Sequence, residues 1–289
     1  MSVFSVGKVS ITRIEETYLP VYRPGDIFPE YDAAIAAAHA HWMAPHHYDA
    51  EKDLIKLSVH SWLVQIGSKK ILIDCCCGNN RPRPTRPFWN MLNEPYLDRL
   101  AAAGARPQDI DYVMCTHLHH DHVGWNTRLV DGRWVPTFPQ ARYLFGRREW
   151  QHWKHLRDTD GYHHMDHLQD SIDPILAAGL EEYIDADFRL TDEVSLMATP
   201  GHTPGHVSVL IDSCGEQAVI TGDLMHNPIQ IAVPATEARF DMDKPRAART
   251  RCDFVQRFCN SGTLVIGSHF AEPTAGRIVP DGEAWKLEV

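Results

Sequence analysis

Short apolar runs punctuated by glycine and proline dominate the chain, and their spacing predicts alternating strands and helices. Ser10–Glu15 alternates loosely and reads as a strand. Leu57–Ile66 and Lys70–Cys75 are two further strand-like runs with Gly67 and Ser68 between them, the pattern of a hairpin. Asp111–Thr116 and Arg142–Phe145 read as short buried strands. Val194–Ala198, His206–Asp212, Gln217–Thr221 and Thr263–Ile266 supply four more, and Trp285–Val289 an edge strand. Helical spacing predicts helices over Phe88–Ala103 (stopping at Gly104), Arg147 to about Arg157, about Met165–Ala178, and Lys244–Phe258. Tyr18–Tyr48 is irregular, broken by Pro20, Pro24 and Pro29 around an alanine-rich stretch, Ala33–Ala40, that can form a short helix. Gly78–Pro87 reads as a polar loop. With no repeat, low-complexity tract or linker, residues 1–289 read as one α/β domain.

Composition narrows the function classes. The chain has 289 residues, 44% of them hydrophobic and 23% charged, with a formal net charge of -10, the balance of an ordinary globular protein. That acidic balance argues against a nucleic-acid partner, which would meet a basic face. No apolar run approaches the roughly 20 residues that span a bilayer. Met1–Lys8 has no apolar core of a secretory leader. Seven cysteines, three of them consecutive at Cys75–Cys77, make a poor disulfide framework, so a reducing cytoplasm is expected. Histidine, at 18 residues, equals glycine in number, and imidazole is a common metal ligand and proton carrier at neutral pH.

The densest histidine segment is Thr116-His117-Leu118-His119-His120-Asp121-His122. It follows a predicted strand, so His117 and His119 project to one side and can hold one metal ion. Asp121 and His122 come as the chain turns and can reach a second position. Two ions about 3.5–4 Å apart form a two-metal hydrolytic site. Three further pieces each follow a strand: Thr199-Pro200-Gly201-His202-Thr203-Pro204-Gly205-His206, Thr221-Gly222-Asp223 and Gly267-Ser268-His269. A carboxylate at such a strand end can bridge two cations. Imidazoles with carboxylates suit Zn(II) and also accommodate Mn, Fe or Co. Two such ions would make hydroxide available at neutral pH.

In this order, H-x-H-x-D-H, T-P-G-H-T-P-G-H, G-D and S-H, the sequence resembles the metallo-β-lactamase superfamily over almost its whole length. The resemblance implies an αββα sandwich with a binuclear centre. Carried over by position, the first metal takes His117, His119 and His202, and the second takes Asp121, His122 and His269, with Asp223 bridging. Asp74 matches a strand-end aspartate that supports the site from behind, or is a plain strand-end cap. His206 buttresses its turn. Asp121 can move a proton beside the nucleophile.

Exclusion points to one branch. Secreted β-lactamases carry a cysteine where Asp223 stands. The glutathione thioesterases need a helical domain after the last ligand, and only 20 residues follow His269. The RNA-processing members carry nucleic-acid-binding insertions that this chain does not show. The flavodiiron branch has a glutamate in place of one histidine and an added flavodoxin domain, and the sulfur dioxygenases keep a single iron without need of Asp121 and His122. His60-Ser61-Trp62-Leu63-Val64, Ile71-Leu72-Ile73-Asp74 and Gly267-Ser268-His269 are similar to the acyl-homoserine lactone lactonases and methyl parathion hydrolase. That resemblance implies a small-molecule ester or lactone as substrate, with a phosphotriester as the alternative. A mononuclear iron dioxygenase or a metal-storage protein without turnover stands further off. The lactonases place a tyrosine three residues after the bridging aspartate; here it is His226, either a substrate contact or a bystander at the rim. Relatives of this branch often form homodimers.

Residues 28–48 (Trp42, Met43, His46, His47) and 149–167 (Trp150, Trp153, His163, His164) are expected to cover the cleft, although Trp150 and Trp153 also fit a buried helix face. His152, His155, His163, His164 and His167 read as solvated, and His120 as no ligand. Cys75–Cys77 either bind metal or sense redox state, or are simply small buried side chains.

Overall fold

A computed structural model describes residues 2–31, 33–161 and 165–289. The chain divides into two compact units, each discontinuous in sequence: residues 1–17 with 59–186, and residues 18–58 with 187–289. Among the described residues no helix is long and apolar enough to cross a membrane.

The first unit is built on a sheet in which Leu54–Ile66, Lys69–Ile73, Tyr112–Met114, Arg142–Gly146 and Glu181–Ile184 lie side by side. Gly67, at φ +57, turns the chain between the first two, which pair antiparallel with Trp62 opposite Ile73. The remaining neighbours pair parallel, Ile73 opposite Met114 and Met114 opposite Leu144. Ile71, Leu72, Ile73, Val113, Tyr143, Leu144 and Phe145 are fully buried. Strands covered on both faces tend to read as unbroken apolar runs rather than alternating ones. Parallel pairing has a consequence for chemistry: Ile73 and Met114 end at the same edge, so Asp74 and the Thr116–His122 segment emerge together.

The second unit carries a six-stranded sheet in the order Val194–Ala198, Val207–Ser213, Glu216–Ile220, Leu264–Ile266, Ala275–Asp281, Ala284–Glu288. Val207–Ser213 runs antiparallel to both of its neighbours, and Ile220 lies parallel to Ile266. Three connections therefore open at one end of this sheet: Thr199–His206, Thr221–Asp223 and Gly267–His269. Helix Lys244–Phe258 is capped by Asp243, whose side chain accepts from the Arg246 amide. It buries Ala247, Arg251, Phe254, Val255 and Phe258, one stripe at helical spacing. Gly201, at φ +141, lies so close to this helix that a Cβ there would stand 2.3 Å from Ala247 Cα. Only glycine fits that turn.

Several expectations need correction. The single helix over Phe88–Ala103 is instead a 3-10 turn, Pro87–Trp89, and a short helix, Tyr96–Ala102. Pro95 stands between them, and the residue before a proline is driven out of helical geometry. The first strand is longer than expected, Val9–Tyr22, and pairs with an additional strand, Val3–Val6. Helix Ala33–Met43 extends the expected alanine-rich segment. Met165–Ala178 contains a π-helical stretch, Leu168–Ile172, before the α-helix Asp173–Ala178.

Candidate metal centre

In the first unit the donors start where the parallel strands stop. Asp74 adopts φ +59, and its Oδ1 accepts from the Thr116 amide at 2.8 Å. Asp74 Oδ2 lies 2.9 Å from His122 Nδ1. With Nδ1 tied to a carboxylate, His122 offers Nε2 outward, and a ligating imidazole is commonly oriented in this way. Thr116 Oγ1 lies 3.1 Å from His117 Nδ1, and His117 Nε2 lies 3.0 Å from His119 Nδ1. The His117 and His119 rings meet edge to face at 4.6 Å. His119 stands at the N-terminus of the one-turn helix His120–Val123, and that turn brings the His122 ring to 4.1 Å from the His117 ring. The donor atoms of Asp121 and His122 lie within 4.8 Å of each other.

Behind this segment, Glu149 accepts from the Leu118 amide (3.2 Å) and from Trp153 Nε1 (2.6 Å). The Trp153 ring packs against His119 at 5.5 Å, whereas Trp150 stacks on Tyr183 at 6.1 Å. Both indoles are buried, as a helix face predicts, yet only Trp153 touches a donor. Glu16 braces the loop from the other side, accepting from the Cys77 and Gly78 amides at 2.8 Å and from Trp125 Nε1 at 2.6 Å. Cys75, Cys76 and Cys77 are buried with their thiols pushed well up by that burial. Thiols held protonated are poor nucleophiles, and among the described residues none of the three joins a group of donors able to hold a metal, which agrees with small buried side chains.

In the second unit three imidazoles surround one carboxylate. Asp223 Oδ2 lies 3.4 Å from His202 Nε2 and 3.4 Å from His226 Nε2, and Oδ1 lies 3.1 Å from His269 Nε2. The far nitrogens of two are committed: His202 Nδ1 to Asp241 Oδ1 at 3.2 Å, and His269 Nδ1 to the Ser58 carbonyl at 3.0 Å. His206 fixes the carboxylate's backbone, its Nε2 accepting from the Asp223 amide at 2.9 Å while its Nδ1 meets Thr199 Oγ1 at 2.8 Å. It therefore lies behind Asp223 rather than merely within its own turn. Asp241 is clamped by Arg251 Nη1 at 2.9 Å, both side chains fully buried. Burial pushes the Asp241 carboxyl up, but the His202 hydrogen bond and Arg251 outweigh it and hold it at about 2.

His226 is buried, and that burial lowers its imidazole from the ordinary value. Its ring faces His202 at 5.0 Å, Phe240 at 5.7 Å and, in parallel planes, His269 at 6.1 Å. It is thus no exposed rim residue.

Sequence reasoning missed Asp241, Arg251, Glu149 and the Ser58 carbonyl. Nothing local marks them: Asp241 lies between Phe240 and Met242 in an irregular segment, and a backbone carbonyl has no sequence signature. His167 also departs from expectation, since it is buried against Trp153 rather than solvated. His155 is exposed, whereas His163 and His164 lie outside the described residues.

The donor chemistry fits divalent cations. Imidazoles present Nε2 to a carboxylate from several sides, with Nδ1 of His202 and His269 spent on an oxygen behind. Zn(II) and its neighbours favour such N/O sets.

Comparison with known proteins gives the same direction. An N-acyl homoserine lactonase of Bacillus cereus is 29% identical over 172 residues, 56% of this chain and 61% of that protein. A second, from a Bacillus species, is 32% identical over 114 residues, 39% of this chain and 38% of its own. The chain thus matches less than two thirds of the length of these relatives. Among solved structures, the hydrolase AbOPH of the beta lactamase superfamily superposes with a TM-score of 0.80 at 24% identity, covering 99% of this chain and 96% of that one. AidC, a dizinc quorum-quenching lactonase in complex with the product N-hexnoyl-L-homoserine, gives 0.77 at 20% identity, with the same coverage. At these identities the structures show a shared fold, mixed α/β like the present one. The model of the metallo-beta-lactamase superfamily matches residues 54–254, and the chain belongs to that superfamily.

Proposed function

We propose that the protein is a dinuclear metal-dependent hydrolase that opens a lactone or cleaves another carboxylic ester. By the superfamily's order of ligands, His117, His119, His202 and Asp223 would hold one ion and Asp121, His122 and His269, with Asp223, a second. The observation that carries this reading is the arrangement around Asp223. Imidazole Nε2 atoms approach both of its oxygens, and two of the rings are turned that way by bonds on their far side. When bound, such an ion pair supplies hydroxide at neutral pH and polarises the substrate oxygen.

The chain's own residues do the rest. Asp74, Asp241 and the Ser58 carbonyl hold His122, His202 and His269 in one ring orientation, so no reorganisation is needed as substrate binds. The bond from the Asp223 amide to His206 Nε2 fixes the backbone that carries the Asp223 carboxylate. Asp121 is the candidate to receive and return the proton of the nucleophile. His226, whose imidazole burial lowers from its ordinary value, would donate from a ring nitrogen to the substrate carbonyl oxygen or to the departing alkoxide, at the position where lactonases carry a tyrosine. General acid catalysis of this kind contributes about 10²–10⁴-fold. The relatives named as lactonases support the ester or lactone class.

A hydrolysis screen over lactones of several ring sizes, aryl esters and an aryl phosphotriester, on metal-loaded protein, tests the reading. Turnover is expected on lactones or esters, and His226→Phe should slow it by about 10²-fold. Faster turnover of the phosphotriester would reassign the substrate class; turnover of none would reject the hydrolase.

A further inference from the structure

Two candidate donors of the first unit depend on one carboxylate, and a count of protons shows how. Strands Lys69–Ile73 and Tyr112–Met114 run parallel with Ile73 opposite Met114. The Asp74 amide extends their ladder by donating to the Met114 carbonyl at 2.9 Å. That register places the Asp74 side chain beside Thr116. Its carboxylate, 2% exposed, meets three groups of the donor segment. The Thr116 amide donates to Oδ1 at 2.8 Å, and the Thr116 hydroxyl to Oδ1 and Oδ2 at 3.1 and 2.9 Å. His122 Nδ1 lies 2.9 Å from Oδ2. The same Thr116 hydroxyl oxygen also lies 3.1 Å from His117 Nδ1.

A hydroxyl has one proton and two lone pairs, whereas a carboxylate only accepts. If the Thr116 hydroxyl gave its proton to His117, its lone pairs would face two carboxylate oxygens within 3.1 Å. Buried as both residues are, no water would relieve that repulsion. The proton therefore goes to Asp74, and the hydroxyl oxygen accepts from His117 Nδ1–H. With Nδ1 spent as an N–H, a neutral His117 keeps its lone pair on Nε2, the atom turned toward His119 Nδ1 at 3.0 Å. By the same count His122 donates from Nδ1 to Asp74 and keeps its lone pair on Nε2. A free imidazole favours the opposite tautomer, with the proton on Nε2, so each ring needs a partner that holds the proton on Nδ1.

We propose that Thr116 is a positioning residue whose hydroxyl relays the Asp74 carboxylate to His117 and holds that imidazole in the Nδ1–H tautomer, with Nε2 set to take a metal ion. The proposal rests on the dinuclear reading above and deepens it. One carboxylate then orients two ligands, His122 directly and His117 through the hydroxyl, and Thr116 governs His117 alone. Which ring nitrogen takes a metal is set by the bond that the other one makes. Partners of this kind are worth about 10–100-fold in metal affinity.

Ring-nitrogen NMR shifts of the metal-free protein, at mildly alkaline pH, read the tautomer directly. Wild-type His117 should show a protonated Nδ1 and an unprotonated Nε2. Thr116→Ser, which keeps a hydroxyl, should retain this pattern. Thr116→Val, which keeps the shape and the amide bond to Asp74, should move the proton largely to Nε2. Zn(II) titration against a chelator, followed on the His117 and His122 resonances, should show binding at His117 weakened about 10–100-fold in Thr116→Val, with binding at His122 far less affected. Asp74→Asn, which keeps an acceptor for the hydroxyl, should reverse that order. A wild-type His117 protonated on Nε2 would overturn the relay without any variant. So would a valine variant that keeps the wild-type tautomer, a serine variant that loses it as fully as valine, or equal weakening at both histidines in Thr116→Val. The tautomer is read with neither metal nor substrate, so the two readings fail separately. The expected tautomers without any hydrolysis would reject the hydrolase and keep the relay, and hydrolysis with His117 protonated on Nε2 would do the reverse.

Discussion

The two units supply their candidate metal donors in opposite ways. In the first, His117, His119, Asp121 and His122 come from one six-residue segment, and one aspartate at a neighbouring strand end, Asp74, anchors it through Thr116 and His122. In the second, His202, Asp223 and His269 come from three separate connections at the end of one sheet. Each has its own support: Asp241 with Arg251, His206, and the Ser58 carbonyl. The contiguous half is specified locally. The dispersed half exists only once the sheet has formed and the helix bearing Arg251 has packed. Metal affinity and fold stability should therefore be separable in the first unit and joined in the second.

The largest effect is expected at Asp241. Asp241→Ala leaves the fully buried Arg251 guanidinium without its carboxylate, which should cost about 3–5 kcal/mol. A thermal melt should show a drop of roughly 10 °C, along with weaker metal binding. Asp241→Asn, which keeps the shape and one acceptor, should fall between the two. An unchanged melting point in the alanine variant would end the claim that the dispersed half depends on this pair.

A smaller and differently distributed effect is expected at Asp74. Asp74→Asn retains an acceptor for Thr116 but weakens the bond that orients His122. Metal affinity should drop about 10–100-fold, read by competition with a chelator, while the melting point of the metal-free protein moves less than in Asp241→Ala. Equal destabilisation in both variants would erase the contrast between the halves.

Acid should affect both units through histidines that hold no metal. Burial keeps His47, in the second unit, at about 3, against an ordinary 6.5. His167, in the first, is held well below that ordinary value, again chiefly by burial. Below pH 6.5 the unfolded chain takes up protons that these folded sites refuse, so their contribution is full above 6.5 and is lost as the pH falls toward the folded values. Each ring should remove roughly 1.4 kcal/mol per pH unit over that interval. His47→Leu and His167→Leu, followed by denaturant unfolding between pH 7 and 5, should each flatten the slope. A slope unchanged by either substitution would contradict the burial argument.

The same contrast explains what was legible beforehand. The contiguous half was readable because its spacing carries geometry: extended backbone brings i and i+2 together, and a turn follows. The strand-end placement of Asp223 and His269 was readable from apolar runs ending in Gly-Asp and Ser-His. Asp241 was not, since its role depends on a helix packing across an irregular segment. Pro95 was visible and decisive, yet the apolar spacing around it concealed the break. The hairpin Thr127–Val130 with Arg133–Pro136 turns on Asp131-Gly132, both at positive φ, a turn signal that its largely exposed strands did not reinforce with a hydrophobic pattern. His167 illustrates the limit of composition: a histidine in a polar stretch looks solvated until a neighbouring indole covers it.

The central claim is a dinuclear site organised by Asp223, and metal stoichiometry measured beside turnover tests it most directly. Elemental analysis of the purified, metal-saturated protein should give two divalent ions per chain, with lactone or ester hydrolysis that disappears on chelation and returns on reloading. Asp223→Ala should bind fewer than two ions and show only background hydrolysis. Two ions retained with full hydrolysis in Asp223→Ala would contradict the account.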